Sequence, residues 1–221
     1  MFFKRVQRLL TKKDIQRLSC LFCFDNQSLL VTVFTHLPPA LQYHGIRVGA
    51  IAGLMAKAAP DDAIPQGMSR EQYADAVRYG AQYHDIAAYL VYNERERYPE
   101  SGERFLREQI GEHTMDPLAR KVILETVLYC SERYDGKGYP EGLRGDQIPL
   151  HAQLCAIANA ADERIAEHGG SWKRATDDAQ AFIHAQEGAM FSARAVRCCA
   201  GASAGATYVY KVWSKKPPAP V

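Results

Sequence analysis

No apolar run in this sequence approaches the ~20 residues that a membrane-spanning helix requires, so a helical membrane protein is excluded. An excess of charge of one sign is also missing. The 27 basic and 25 acidic side chains leave a net charge of +2, which implies neither a nucleic-acid polymer nor a strongly acidic partner. Cysteine occurs six times but without a framework, because the close spacings are Cys20/Cys23 and Cys198/Cys199. A zinc ribbon needs two matched pairs, and a disulfide scaffold suits a much smaller secreted chain. Reduced thiols in a cytoplasmic protein are the expectation. Internal repeats and strand-like alternation are absent too, which leaves an all-α domain.

The N-terminal stretch "MFFKRVQRLLTKKDIQRLSCLFCF" scatters basic residues through apolar ones. It reads as an amphipathic helix docked on the domain or linking it to something else, with attachment to a membrane surface as the lesser alternative. Residues 1–39 form this segment, 40–205 the domain, and 206–221 a proline-rich tail expected to fray. Within the domain, Leu41, Val48, Ile51 and Met55 recur at helical spacing with His44 on their stripe. Ser69, with Glu71 and Gln72 behind it, starts the next helix. That helix carries Tyr73, Val77, Gly80 and Ala81, and then His84 and Asp85. Further helices are expected over 101–110, from Asp116 or Pro117, over 149–167 with Leu154, Ile157, Ala158, Ala161 and Ile165 inward, and over 177–186. Gly169 and Gly170 end the 149–167 helix.

A lone histidine on an apolar stripe is more often a core histidine bonded to a backbone carbonyl than a ligand. Two of them on two helices, one followed by an aspartate, supply the imidazole and carboxylate that a hydrolytic metal site uses. Between the last two long helices lies "ERYDGKGYPEGLRGDQIP", residues 132–149, too polar and too long for a plain connection in a compact domain. Asp135, Gly136 and Gly138 suit tight turns, Tyr139 offers an aromatic face and a hydroxyl, and Arg133, Lys137 and Arg144 could meet phosphate or an acidic partner. A rigid connector needed only for folding is the plainer alternative.

"YHDIAAYL" followed by "ERYDGKGYPEGLRGDQIPLHAQLCAIANAADE" resembles the HD-GYP domain, a bacterial helical metal-dependent phosphodiesterase family acting on cyclic di-GMP. "HGIRV" at His44 is similar to that family's first ligand helix, and "EGAMF" near Gly188 to its last motif; the likeness runs over roughly residues 40–200. It implies an HD-superfamily helical bundle with His44, His84 and Asp85 as metal ligands, Asp85 being catalytic if the site is active. It also implies that Arg133, Asp135, Gly136, Lys137, Gly138, Tyr139, Pro140 and Arg144 border a ligand or partner.

Against the family pattern several positions depart. Tyr98 and the pair Cys130 and Ser131 stand where the family places three further histidines, Asn159 where it has an aspartate ligand, and Ala88 where it has a phosphate-facing lysine. Asn159 offers a weaker, neutral oxygen. Asp162, three residues on, would reach the metal only through a shifted helix or a water. Cys130 is a soft ligand for zinc or, more simply, a small hydrophobe ending a buried stripe.

The expectation is therefore at most one divalent metal, iron, manganese or zinc, or none. Two-metal sites stabilise charge on both the attacking and the leaving oxygen. Without the second metal and the lysine, cyclic di-GMP phosphodiesterase activity should be lost, leaving a degenerate module that binds a cyclic dinucleotide or a signalling protein through the loop. A single-metal phosphohydrolase acting at His44, His84 and Asp85 is the alternative, and a purely structural domain the third. Some forty residues before His44 are too few for a receiver or sensor domain, so action alone, in an oligomer, or through a partner is expected.

Overall fold

The computed structural model describes Phe34 and residues 37–87, 98–110, 115–167 and 172–202. The N-terminal segment up to residue 33, Ala88, the glycine pair 169–170 and the tail 206–221 lie outside the described residues. Those residues build a helical bundle: α1 (Pro39–Lys57), α2 (Arg70–Gln82), α3 (Tyr98–Gln109), α4 (Pro117–Tyr129), α5 (Leu150–Glu167), α6 (Trp172–Ala185) and α7 (193–202). Among them no strand occurs, and no helix is long and apolar enough to cross a membrane.

The helix starts follow from capping chemistry. Ser69 Oγ accepts from the Gln72 N–H at 3.2 Å while Gln72 Oε1 accepts from the Ser69 N–H at 2.8 Å, a reciprocal box that satisfies two otherwise orphaned donors. Asp116 accepts from the N–H groups of Leu118 and Ala119, and Pro117 fills the first turn, where its missing N–H costs nothing. α1 lies against α2 and α5, and α4 against α2, α3 and α5. Val48, Ile51, Met55, Tyr73, Val77, Val122, Ile123, Val127, Leu154 and Ile157 fill the space between them.

α1 approaches α2 unusually closely because Gly45, Gly49 and Gly53 form one face at four-residue spacing. A Cβ at Gly45 would lie 2.5 Å from the Gln82 carbonyl oxygen, and one at Gly49 would lie 2.7 Å from that of Arg78. The stripe thus sets His44, next to Gly45, beside the end of α2.

Three boundaries differ from the sequence expectation, one of them the start of α3, which lies at Tyr98, three residues before the expected start. α2 stops at Gln82, and His84 and Asp85 sit in the turn beyond it rather than on the helix. The Tyr83 N–H turns back to the Gly80 carbonyl, and the His84 side chain takes the Ala81 carbonyl oxygen. Tyr83 is pinned there between the Tyr79 and Phe34 rings, at centroid distances of 4.8 and 5.1 Å. α6 begins at Trp172, five residues before the expected start. Its buried face is Ala175, Ala179 and Ile183, and alanines leave a weak apolar signal in sequence.

Candidate metal centre

His44 comes from α1 and His84 with Asp85 from the turn after α2. One ligand atom from each lies within 4.8 Å of the others, the one such cluster among the described residues. His44 Nε2 is 3.5 Å from Asp85 Oδ2, and His84 Nε2 is 3.4 Å from the same oxygen. The two imidazole rings lie 5.2 Å apart.

Both rings have their far nitrogen spoken for. His84 Nδ1 donates to the Ala81 carbonyl at 2.8 Å, and His44 Nδ1 donates to Asp162 Oδ2 at 2.8 Å. An imidazole whose Nδ1 proton is held by an oxygen presents Nε2 to the site, the arrangement found around metal-bound histidines. The bland reading of His84 as a core histidine bonded to a carbonyl is thus true of one edge of the ring only.

Asn159 Oδ1 lies 3.2 Å from His84 Nε2, and the Asn159 amide nitrogen donates to Glu163 Oε1, which turns the oxygen toward the cluster. Two imidazole nitrogens and a carboxylate oxygen converge, with an amide oxygen against one of the imidazoles, and such a donor set fits one divalent cation. The electrostatics agree. Burial opposes charge on His44, but the Asp162 and Asp85 carboxylates outweigh it and lift its pKa to about 9. Asp85 also resists charging through burial, yet the neighbouring His84 and the hydrogen bond and charge of His44 draw it down to about 2. The site favours positive charge at its centre. Asp85 is its open side, with 48% of its side chain accessible.

Asp162 is not where a ligand would be. It is 1% exposed, and both oxygens are engaged, by Arg47 Nε at 2.6 Å, Arg47 Nη2 at 2.8 Å and His44. Cys130 stands outside the cluster as well. Its thiol donates to the Val127 carbonyl at 3.2 Å and packs against the core, the small-hydrophobe role. The buried Cys155 thiol is pushed well up by its hydrogen bond with Cys130, by burial and by the Asp85 charge. Tyr98 begins α3, and its side chain lies outside the described residues.

The loop after α4 is built largely from its own backbone. Gly136, Gly142 and Gly145 hold φ of +77°, +66° and +63°, and a Cβ at Gly138 would collide with the backbone of Glu132 and Arg133. Glu132 Oε1 accepts from the Glu141 N–H at 2.7 Å; its buried second oxygen has no partner among the described residues. Arg133 is paired with Asp135 at 2.9 Å, while Lys137 and Arg144 are exposed. The loop leans on the 187–191 segment, whose Ala189 and Met190 carbonyls accept from the N–H groups of Asp135 and Tyr134. The loop leaves Tyr139 at its surface, 45% accessible, beside Pro140. Sequence reasoning missed Arg47 and Glu132. A charged residue one turn from a candidate ligand histidine, and an acid at the root of a polar loop, were the available signals.

Residues 87–192 match the HD domain family model. The chain is 42% identical over 65 residues to "Cyclic di-GMP phosphodiesterase response regulator RpfG" of Xanthomonas campestris pv. campestris (strain 8004), which covers 29% of this chain and 17% of that protein. It is 37% identical over 70 residues to "Probable cyclic di-GMP phosphodiesterase" of Vibrio cholerae serotype O1, covering 32% of this chain and 16% of that protein. The match therefore spans about a sixth of the length of these curated relatives. Among solved structures, a cyclic GMP-AMP specific phosphodiesterase of V. cholerae superposes with a TM-score of 0.53 at 15% identity, over 87% of this chain and 54% of that one. At that identity the likeness shows the fold alone.

Proposed function

We propose that this chain, whose residues 87–192 match the HD domain family model and which is similar to two cyclic di-GMP phosphodiesterases over part of its length, is a one-metal signalling module of the HD-GYP kind that binds a cyclic dinucleotide without hydrolysing cyclic di-GMP at a useful rate. The observation behind this reading is the convergence of His44, His84 and Asp85 within 4.8 Å, with Asn159 beside them and Tyr98, Cys130 and Ser131 at the other ligand positions of the resemblance. A divalent ion held there, iron, manganese or zinc, would act as a Lewis acid on a phosphoryl oxygen. His44 and His84 orient toward that centre, and Asp85 forms the mouth through which a phosphate would enter. Lys137 and Arg144 stand exposed on the loop as counter-charges, and Tyr139 offers a ring face for a base or for a partner protein. With one metal and no lysine at position 88, a barrier several kcal/mol higher than a two-metal site's is expected, and each ~1.4 kcal/mol is a factor of ten in rate. The described cysteines are free thiols, which supports action in the cytoplasm.

The test is equilibrium binding and turnover of cyclic di-GMP on metal-loaded protein. Saturable binding with negligible hydrolysis is expected. Turnover that survives repurification and disappears in His84→Ala would contradict it. A second reading, a single-metal phosphohydrolase with another substrate, is favoured by the accessible Asp85. A phosphoester screen separates the two.

A further inference from the structure

We infer that Asp162, clamped by Arg47, is the positioning residue that aims the His44 imidazole at the metal, an inference that rests on the one-metal reading above. Arg47 lies one turn after His44 on α1, and Asp162 lies one turn after Asn159 on α5. Residues at that spacing share a helix face, so the α1–α5 contact places a cation, an anion and two site residues together. Arg47 donates through Nε to Oδ1 at 2.6 Å and through Nη2 to Oδ2 at 2.8 Å. This two-point fork fixes the plane of the carboxylate as well as its place. The fixed Oδ2 then takes the His44 Nδ1 proton at 2.8 Å.

Three consequences follow from that geometry. The ring cannot flip without leaving a carboxylate that is 1% exposed short of a hydrogen bond. With Nδ1 held, Nε2 is the nitrogen turned toward Asp85, 3.5 Å away. Because Arg47 neutralises Asp162, the pair supplies orientation with little net charge, and Asp162 stays out of the metal's own ligand set although it sits on the helix that carries Asn159.

The experiment measures the affinity of Asp162→Ala, Asp162→Asn and Arg47→Met for Mn(II) and Zn(II), alongside the His44 Hδ1 proton by NMR in metal-free and metal-loaded protein. Loss of an outer partner of a ligand histidine weakens metal binding about 10- to 100-fold, and that fall is expected in Asp162→Ala. Asp162→Asn keeps an acceptor oxygen and should recover part of it. In the wild type the Hδ1 resonance should be shifted downfield and exchange slowly in both states, and it should vanish in Asp162→Ala. Unchanged affinity in folded Asp162→Ala, or an equally protected Hδ1, overturns the inference. If Asp162→Ala fails to fold, Arg47→Met, which leaves the carboxylate but frees it to turn, must still weaken metal binding and speed Hδ1 exchange. Wild-type protein that binds no metal sinks the one-metal reading, and Hδ1 protection in the metal-free protein then decides by itself whether Asp162 orients His44.

Discussion

The loop of residues 132–149 and the His44–His84–Asp85 cluster are held in opposite ways. Most of the loop's contacts run between residues close in sequence: the Gly136 N–H to the Arg133 carbonyl, Gly145 to Tyr134, Arg133 to Asp135, Glu141 to Glu132. The cluster and its supports are assembled from three distant segments, α1, the turn after α2, and α5, with Asp162 reaching 115 and 118 residues back to Arg47 and His44. A locally determined element keeps its shape when its neighbours change. A site made of long-range side-chain contacts depends on how closely the helices pack, so a change of packing should damage the cluster before the loop.

The strongest way to break that contrast is to push α1 off α2. Gly45→Val places a branched side chain against the Gln82 carbonyl, and overpacking of this kind costs about 1–3 kcal/mol. Thermal unfolding should register that loss, and metal binding should fall with it, while backbone amide shifts of residues 134–147 stay near their wild-type values. Next in size is Asn159→Asp, which returns a carboxylate to a place beside His84. Metal affinity by competition titration should rise about tenfold, equivalent to ~1.4 kcal/mol, with the loop unaffected.

The two regions differ equally in how far the sequence discloses them. The loop was legible at Gly136, a turn glycine with a φ of +77°, and at Gly138, although there the constraint is close approach to the backbone of Glu132 and Arg133 rather than positive φ; Gly142 and Gly145 were not singled out, and 187–191, which was, proves to be the loop's backing. His44, His84 and Asp85 were legible as ligand types on an apolar stripe, although the end of α2 was not, since it depends on His84 taking the Ala81 carbonyl. Arg47 and Asp162 were illegible as a pair because nothing local links positions 115 residues apart. The Gly45–Gly49–Gly53 face went unread for a related reason: a glycine stripe acquires meaning only beside the backbone that fills it.

Smaller perturbations act on the loop and should leave the cluster alone. Gly142 has room for a methyl group, its nearest prospective neighbour being the Gly136 carbonyl oxygen at 3.7 Å, so only its φ of +66° opposes substitution. Gly142→Ala should therefore cost about 1–2 kcal/mol in chemical denaturation and leave metal affinity alone. Tyr139, 45% accessible, contributes little to the fold. Tyr139→Ala should shift stability by less than about 0.5 kcal/mol while weakening capture of a cyclic dinucleotide, measured by calorimetry.

Every expectation for the cluster depends on whether His44, His84 and Asp85 hold a single metal ion. The most direct test is the metal content of protein expressed with iron, manganese and zinc and purified without chelator or metal affinity resin, counted for the wild type and for His84→Ala. One ion per chain is expected in the wild type and none in the variant. No bound ion in the wild type, or a content unchanged by His84→Ala, would contradict that expectation.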